Sequence, residues 1–314
     1  VDEADILSDY LIVVQDAIDL EVVREGRLHI LHDPIHGAAA NLLDRILGDQ
    51  AKVTSLRREY NPSFGSVNPE PILENLHMTE TTMRYGIYSL AICNDGDADR
   101  LGVMDERGEF VTPHQILGLL TLDMVRRKGG QGEIVRTFST TDLLDRIGEQ
   151  LGVIVHETPI GFKHVADLML ERDIMIGGEE SGGVGFGDFL PERDGILSGL
   201  RVAECIAAHG KPLSELVAEM EEEFGPSRYG RRDVRGSMER AGELIEEVRN
   251  GDHDDLFGSD FAGREEKDGV KLRYGDGTWI LFRRSGTEPL IRIYCESAEQ
   301  ARVDENLRKA SELV

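Results

Sequence analysis

A strand, an acidic loop and a second strand follow one another in IYSLAICNDGDADRLGVM, residues 87–104. The apolar run from Ile87 to Cys93 predicts a buried strand, because it is short and the turn-forming residues of the loop follow at once. Leu101 to Met104 predicts the next strand. Polar loops at the ends of strands are typical of α/β proteins, so this stretch belongs to a predicted α/β domain.

The residues on either side complete this α/β domain, which is predicted to span residues 1–126. Residues 28–33 predict a buried strand, Ala38 to Leu47 an alanine-rich helix, and Val53 to Leu56 another strand. Strand, helix and strand in this order form a parallel α/β unit. A helix is expected to follow from about Pro113, because a proline in the first turn of a helix gives up no hydrogen bond.

The same pattern begins again after a glycine-containing linker at residues 128–130. Residues 127–224 are therefore predicted to form a second, similar α/β domain, and both sheets are expected to be mixed. From Gly225 the pattern changes to hairpin-like strands and two helices, with a polar loop at residues 252–266. This predicts a smaller α+β domain over residues 225–314.

The composition argues against several classes of function. The formal net charge is -25 at pH 7, so we expect neither nucleic acid nor an anionic membrane as a partner, since phosphate groups would be repelled. No run approaches the roughly 20 apolar residues of a membrane span. Three scattered cysteines indicate free thiols in a cytoplasmic protein. A phosphorylated ligand would need a local positive pocket in this acidic chain.

The acidic loop is the first candidate site. Asp95, Asp97 and Asp99 occupy alternate positions, so their carboxylates can converge on one hard cation, and Mg²⁺ is the natural choice where phosphate is handled. Arg100 supplies a planar donor for a phosphate. The alternative is a solvated acidic turn. An EF-hand is disfavoured, although Glu106 is twelfth from Asp95, because Arg100 stands sixth, where the sharp turn needs glycine.

A glycine-rich segment, residues 177–183, is the second candidate. Its glycines allow a close backbone approach to a ligand, and Glu179 and Ser181 offer an acceptor and a hydroxyl on one side of an extended loop. These groups suit the paired hydroxyls of a sugar. An exposed glycine-rich turn is the alternative.

A basic segment, residues 283–289, is the third candidate. Arg283, Ser285, Gly286 and Thr287 combine positive charge, hydroxyls and free backbone N–H groups, which binding a phosphate dianion requires. The alternative is a basic turn between strands, but a concentrated basic loop in so acidic a chain favours phosphate binding.

Lys163 is a weaker candidate. It lies at a predicted helix start after Gly161, where it could hold a phosphate or a sugar oxygen. An exposed lysine without a role is the alternative. His164 beside it could act as a general acid, although a lone histidine is more often structural.

In this order, the three main segments resemble the motifs of the α-D-phosphohexomutase family, which includes phosphoglucomutase and phosphomannomutase. The resemblance covers nearly the whole chain, with one motif in each predicted domain. It implies two similar α/β domains and a smaller α+β domain. It also implies that phosphate moves between the 1- and 6-positions of a hexose phosphate, through an enzyme phosphoserine and a hexose 1,6-bisphosphate.

The resemblance also implies roles for the candidate residues. The three aspartates of the acidic loop are expected to bind Mg²⁺, with Arg100 beside the active-site phosphate. Glu179 and Ser181 are expected to bind sugar hydroxyls. The four residues of the basic segment are expected to hold the non-transferred phosphate, assisted by Lys163. The Glu-Glu-Ser of the sugar segment resembles phosphoglucomutase more than phosphoglucosamine mutase.

Two departures from the family pattern matter. The family's nucleophile is a phosphorylated serine followed by histidine in its first domain, and no Ser-His pair occurs in this chain. Because the first methionine is Met78, we expect the chain to span domains two to four and to be inactive as a mutase alone. Some relatives carry histidine where Gly183 stands, so no acid/base role is assigned there.

Two alternatives remain open. A magnesium-dependent phosphatase with Asp95 as nucleophile and Asp97 as acid explains the acidic loop, but leaves the other two segments without a role. A non-catalytic sugar-phosphate-binding protein explains all three segments. The sequence predicts neither the oligomeric state nor the choice among glucose, mannose and glucosamine phosphates.

Overall fold

The first part of the chain forms a mixed sheet flanked by helices. The computed structural model describes residues 5–285 and 289–314. The elements of the first part are α1 (Ile6–Asp16), α2 (Leu20–Gly26), β1 (His29–Asp33), α3 (Leu42–Leu47), β2 (Lys52–Ser55), α4 (His77–Tyr85), β3 (Leu90–Asn94), β4 (Leu101–Met104) and β5 (Phe110–Val111). The strand order is β2-β1-β3-β4-β5. β1 is parallel to β2 and β3, whereas β4 is antiparallel to β3 and β5.

The middle part of the chain repeats this arrangement. Its elements are α5 (Pro113–Arg126), β6 (Glu133–Thr137), α6 (Leu143–Leu151), β7 (Val155–Thr158), α7 (Phe162–Glu171), β8 (Ile174–Gly178), β9 (Val184–Phe186), α8 (Gly195–His209) and α9 (Leu213–Phe224). The strand order is β7-β6-β8-β9, and only the β8–β9 pair is antiparallel among the described strands of this sheet. Two similar α/β domains with mixed sheets are therefore confirmed.

Helix α8 connects the two α/β domains. α5 packs against α6, α9 and β8 of its own domain and also contacts β4, while α8 follows the second sheet but packs mainly against β3 and β4 of the first. Residues Gly195 to Ile206 of α8 are all buried, as expected for a helix enclosed on all sides. A Cβ on Gly199 would lie 2.7 Å from Ile92, so glycine permits the close approach of α8 to β3. One hydrophobic core consequently runs through both domains.

The last part of the chain is a smaller α+β domain, as predicted. Its elements are β10 (Arg228–Arg235), α10 (Met238–Asn250), β11 (Phe261–Glu266), β12 (Val270–Tyr274), β13 (Trp279–Arg284), β14 (Leu290–Ser297) and α11 (Gln300–Ser311). The strand order is β10-β14-β13-β12-β11, with antiparallel pairs throughout the described strands. The predicted polar loop at residues 252–266 was wrong at its end, because the charged edge strand β11 lies there.

Glu296 of β14 connects the last sheet to the middle domain. The carboxylate accepts hydrogen bonds from Thr141 Oγ1 (2.7 Å) and from the backbone N–H of Asp142 (3.0 Å) of the middle domain. It also accepts from Ser227 Oγ (2.7 Å) and from Trp279 Nε1 (2.8 Å). Burial raises the pKa of this carboxyl, and the hydrogen bonds oppose the shift. Glu296 therefore joins the two domains at a buried junction.

Among the described residues, none of the helices combines the length and the apolar character that crossing a bilayer requires. α8, whose residues are buried over most of its length, has only 15 residues.

We predict that Glu296→Ala lowers the free energy of unfolding of the last domain by about 3 kcal/mol, because each buried donor left without an acceptor costs about 1–3 kcal/mol. Denaturant unfolding followed by the fluorescence of Trp279, the only tryptophan in the chain, measures this directly. Glu299→Ala is the matched control, since Glu299 is exposed and its side chain caps no helix. Equal stability of the two variants would contradict the prediction.

Candidate functional site

The backbone of the acidic loop brings its three aspartates together. Asp95 follows β3 directly and is nearly buried, whereas Asp97 is exposed and Asp99 half-buried. Ala98 has a φ of 67°, and the backbone N–H of Arg100 donates to Asp95 Oδ1 at 3.0 Å. One carboxylate oxygen from each aspartate lies within 4.8 Å of the others. The alternate spacing thus produces one cluster of oxygen ligands.

This cluster fits a hard divalent cation. The buried Oδ1 of Asp99 has no hydrogen-bond donor among the described residues. Burial, together with the charges of Asp99 and Asp97, raises the pKa of Asp95 to about 7. A cation would relieve this repulsion, and carboxylate oxygens are the ligands that Mg²⁺ prefers. The flanking β3 and β4 are strands, which agrees with the argument against an EF-hand.

The sugar segment is interlocked with the acidic loop. Arg100 and Gly183 form an isolated antiparallel bridge, and the backbone N–H of Leu101 donates to the carbonyl of Gly182 at 3.0 Å. A Cβ on Gly182, whose φ is +93°, would lie 2.4 Å from the carbonyl oxygen of Leu101. Glycine is therefore required here for contact with the acidic loop. Gly178 lies in the buried strand β8. It is therefore not placed for the close approach to a ligand that the sequence suggested for the glycines of this segment.

Arg193 is a site residue that the sequence analysis missed. Its Nε lies 2.6 Å from Asp99 Oδ2, and its Nη1 donates to Glu179 Oε2 at 2.9 Å. Burial and the neighbouring charge of Glu180 raise the pKa of Glu179, while Arg193 opposes the shift. Arg193 precedes α8 among acidic residues, and only the tertiary structure places it between the two segments.

Ser181 and Arg100 face a cleft between the three domains. The cleft has a volume of about 490 Å³, which is within the range of small-molecule sites. Its wall includes Glu180, which accepts a hydrogen bond from Ser139 Oγ at 2.7 Å. On the opposite side it is lined by Arg231 of the last domain. The cleft thus has polar groups on both sides.

The basic segment contributes to a group of arginines on the last sheet. Arg283 pairs across the strands with Arg292, and Arg231 pairs with Tyr294 on the same face. Opposed like charges are unfavourable without an anion or an acidic partner, and Asp268 accepts a hydrogen bond from Arg283 Nε at 3.0 Å. Arg231 and Arg292 were missed, because cross-strand register is not visible in one sequence.

Ser285 is the other described candidate residue of the basic segment. Ser285 is buried, with 3% of its surface exposed, and its backbone N–H donates to the carbonyl of Leu290 at 3.1 Å. Gly286 and Thr287 lie outside the described residues. Within the described ranges no hydrogen bond or ion pair joins Arg283 to the acidic loop, and its ion-pair partner is Asp268.

Lys163 lies near the basic segment rather than the acidic loop. It is the second residue of α7 and is exposed, as expected for the predicted helix start. In the turn before it, the backbone N–H of Ile160 donates at 3.1 Å to Asp268, the carboxylate that holds Arg283. Lys163 forms no ion pair with any described residue. His164 is half-buried beside it.

The comparisons of this chain with known proteins all point to the same protein family. Three models of phosphoglucomutase/phosphomannomutase match the chain: alpha/beta/alpha domain II at residues 8–108, alpha/beta/alpha domain III at residues 112–224, and the C-terminal domain at residues 233–310. A phosphoglucomutase/phosphomannomutase of Thermococcus kodakarensis is 33% identical over 313 residues, which cover 99% of this chain and 66% of the relative. A Methanothermobacter thermautotrophicus protein predicted to be a phosphoglucosamine mutase is 34% identical over 95% of this chain and 63% of its own length.

Solved structures of similar proteins superpose on this chain. One from Thermus thermophilus, itself assigned as a phosphomannomutase by prediction, superposes with a TM-score of 0.84 at 37% identity, covering 99% of this chain and 66% of that one. An N-acetylphosphoglucosamine mutase of Aspergillus fumigatus, in complex with GlcNAc-6P and magnesium, has a TM-score of 0.65 at 16% identity and covers 97% and 69%, so it shows the fold alone. The chain spans 66% and 63% of the length of the two curated relatives.

We predict that Asp97→Asn weakens the binding of Mg²⁺ to the chain at least about tenfold, which is a loss of about 1.4 kcal/mol, because it removes one negative ligand. Asp97 is exposed, so the substitution leaves the fold intact. Calorimetric titration with MgCl₂ measures the dissociation constant. Glu109→Gln, at an acidic side chain 65% exposed outside the loop, is the control, and the same affinity in both variants would refute a cation site in the loop.

Proposed function

Because the chain belongs to the α-D-phosphohexomutase family, we propose that it provides the metal-, sugar- and phosphate-binding parts of a hexose-phosphate mutase. One observation carries the proposal: Arg100 of the acidic loop, Ser181 of the interlocked sugar segment and Arg231 of the last domain line the same cleft. A sugar with a phosphate at each end needs polar groups on both sides.

We propose hexose phosphates and a hexose 1,6-bisphosphate as the ligands. Fold relatives from Aspergillus fumigatus were crystallised with GlcNAc-6P and magnesium and with glucose 1,6-bisphosphate, which supports this class of ligand. The relatives of comparable identity include both phosphoglucomutase/phosphomannomutase and phosphoglucosamine mutase assignments. Glu179-Glu180-Ser181 favours glucose or mannose phosphate over glucosamine phosphate in this proposal.

The acidic side of the cleft is proposed to hold the transferring phosphate. Asp95, Asp97 and Asp99 would hold Mg²⁺, which when bound supplies positive charge to phosphoryl oxygens. Arg100 projects towards the cleft from the same loop, and its Nη1 lies 3.2 Å from Glu70 Oε1. A phosphate would compete with Glu70 for this guanidinium, since arginine forms paired hydrogen bonds with phosphate oxygens.

The sugar and the distal phosphate are assigned to the other segments. Ser181 would bond a sugar hydroxyl, and Glu179 would accept through Oε1, since Arg193 occupies Oε2. The non-transferred phosphate would be held by the basic segment, with Arg283, Ser285, Gly286 and Thr287, and assisted by Lys163. Arg292 joins this set, because its position opposite Arg283 adds a second positive charge.

The reaction proposed for the whole enzyme uses a phosphoserine from a further domain. The phosphoryl group leaves the serine Oγ for a free sugar hydroxyl, whose proton passes to a base. The bisphosphate then turns around, and its other phosphoryl group returns to the serine. One distal grip must serve both orientations, which suits an open loop with several arginines. We expect the chain alone to lack mutase activity.

A phosphatase that uses Asp95 as nucleophile is less well supported. Asp95 is only 5% exposed, and its Oδ1 already accepts a hydrogen bond from Arg100. Such an enzyme would also leave the sugar segment and the arginines of the last sheet without a role. A protein that only binds sugar phosphates would use the same groups, but no observation favours it over the mutase.

We predict that Arg283→Ala weakens the binding of glucose 1,6-bisphosphate at least about tenfold in the presence of Mg²⁺, because a desolvated charge-assisted hydrogen bond contributes about 1.5–3 kcal/mol. Isothermal titration calorimetry of the whole chain measures the affinity. Arg284→Ala is the matched control, since adjacent side chains of a strand point to opposite faces. Equal losses in the two variants, or no binding by the unchanged chain, would count against the proposal.

A further inference from the structure

Three potential metal ligands of different chemistry lie together outside the cleft. Asp123 is on α5, and Cys205 and His209 are on α8. One ligand atom from each lies within 4.8 Å of the other two. Cys205 and His209 are four residues apart on one helix, so they project from the same side of α8 towards α5. None of these residues takes part in the proposed mutase chemistry.

We propose that Asp123, Cys205 and His209 form a binding site for a divalent transition-metal cation of the Zn²⁺ class. A sulfur, an imidazole nitrogen and a carboxylate oxygen are the ligands that tetrahedral Zn²⁺ uses in proteins, whereas Mg²⁺ prefers oxygen alone. Metal–ligand bonds of about 2.0–2.3 Å place the ligand atoms of a tetrahedral site about 3.5 Å apart. A small movement of His209, whose side chain is 42% exposed, closes the remaining gap.

The burial of the three residues suits such a site. Cys205 is fully buried and Asp123 is 5% exposed, so two ligands are held rigidly by the helix packing. Beside them a cavity of about 140 Å³ is lined by apolar residues, by Asp123, His209 and Glu219, and by the ion pair of Arg126 with Glu223. The cavity gives an entry path and leaves room for a water molecule as fourth ligand.

The existing contacts of Asp123 leave room for a metal. Arg127 donates to both carboxylate oxygens at 2.6 Å, and His209 Nε2 lies 3.5 Å from Oδ1. Each carboxylate oxygen has two lone pairs, so a bond to Arg127 and a bond to a metal are compatible. Such a second partner orients the carboxylate for the metal.

The local charge also permits a divalent cation. Arg127 and Lys128 bind Glu204 at 2.9 Å each. Asp123, Glu204 and a Cys205 thiolate carry three negative charges against the two positive charges of Arg127 and Lys128. Burial and the charge of Asp123 raise the pKa of the Cys205 thiol, so a metal that binds must displace the thiol proton into solvent.

The position of the site implies an effect on stability. α5 and α8 pack against each other, and α8 lies on the first sheet. A metal bound to both helices would strengthen this connection between the two α/β domains. Since the unfolded chain does not hold the ligands together, binding stabilises the folded chain.

Titration of the whole, tag-free chain with Co²⁺ tests the proposal. Tetrahedral Co²⁺ with a thiolate ligand absorbs in the visible range and shows a sulfur-to-metal band in the near ultraviolet. We expect both bands to appear at one equivalent, to be displaced by Zn²⁺ but not by Mg²⁺, and to accompany a rise in Tm. No band at one equivalent would overturn the proposal.

Variants locate the site. Cys205→Ser is expected to abolish the sulfur band. His209→Ala is expected to weaken the binding of Co²⁺ at least about tenfold. Because the side chain of His209 is exposed, this variant remains informative if Cys205→Ser unfolds. Cys93→Ser is the control that should keep the sulfur band, because no other described metal-ligand group contains a cysteine. A sulfur band unchanged in both Cys205→Ser and His209→Ala would show that the metal binds elsewhere.

Discussion

Arg193 joins Asp99 of the acidic loop to Glu179 of the sugar segment, and this bridge holds together the two segments that border the cleft. The aspartates of the loop repel one another, and Arg100 and Arg193 are the counter-charges beside them. Arg193 neutralises one aspartate and at the same time fixes the neighbouring segment. Because Arg193 directly precedes α8, the position of that helix also determines the position of the bridge.

Helix α8 ties the two α/β domains together. It lies on the first sheet, although its chain arrives from the second, so the two domains share one hydrophobic core. The end of β3, which carries the acidic loop, and the end of β8, which carries the sugar segment, are thereby fixed relative to each other. The last domain is attached to the middle domain by several contacts, among them the buried junction at Glu296 and the ion pair of Arg273 with Asp142. The arginines proposed to bind phosphate therefore belong to a domain that these contacts hold against the middle domain.

Much of the fold and part of the site could be predicted from the sequence. The strands β1 and β3 were predictable because short apolar runs end in turn-forming residues. The alternate aspartates of the acidic loop were predictable because their spacing is local. The packing of α8 on the first sheet could not be predicted, since an apolar helix sequence indicates burial but not against which sheet.

The same limit applies to the residues that were missed. Arg193 and Arg292 act through partners distant in the chain, and Glu296 through four donors from both domains. The polar sequence of β11 predicted a loop. In the structure, pairing with β12 at the sheet edge holds these residues extended. In each case the deciding contact is tertiary, whereas the predictions drew on neighbours in sequence.

The most direct test of this account is to measure both Mg²⁺ and glucose 1,6-bisphosphate affinity in Arg193→Met. If Arg193 both competes for Asp99 and orders the sugar segment, Mg²⁺ should bind about threefold or more tightly, since a nearby positive charge is lost, and the bisphosphate about tenfold more weakly. Opposite changes in the two affinities would support a single interlocked site. Unchanged affinities, or a fall in Mg²⁺ affinity, would contradict the role of the bridge.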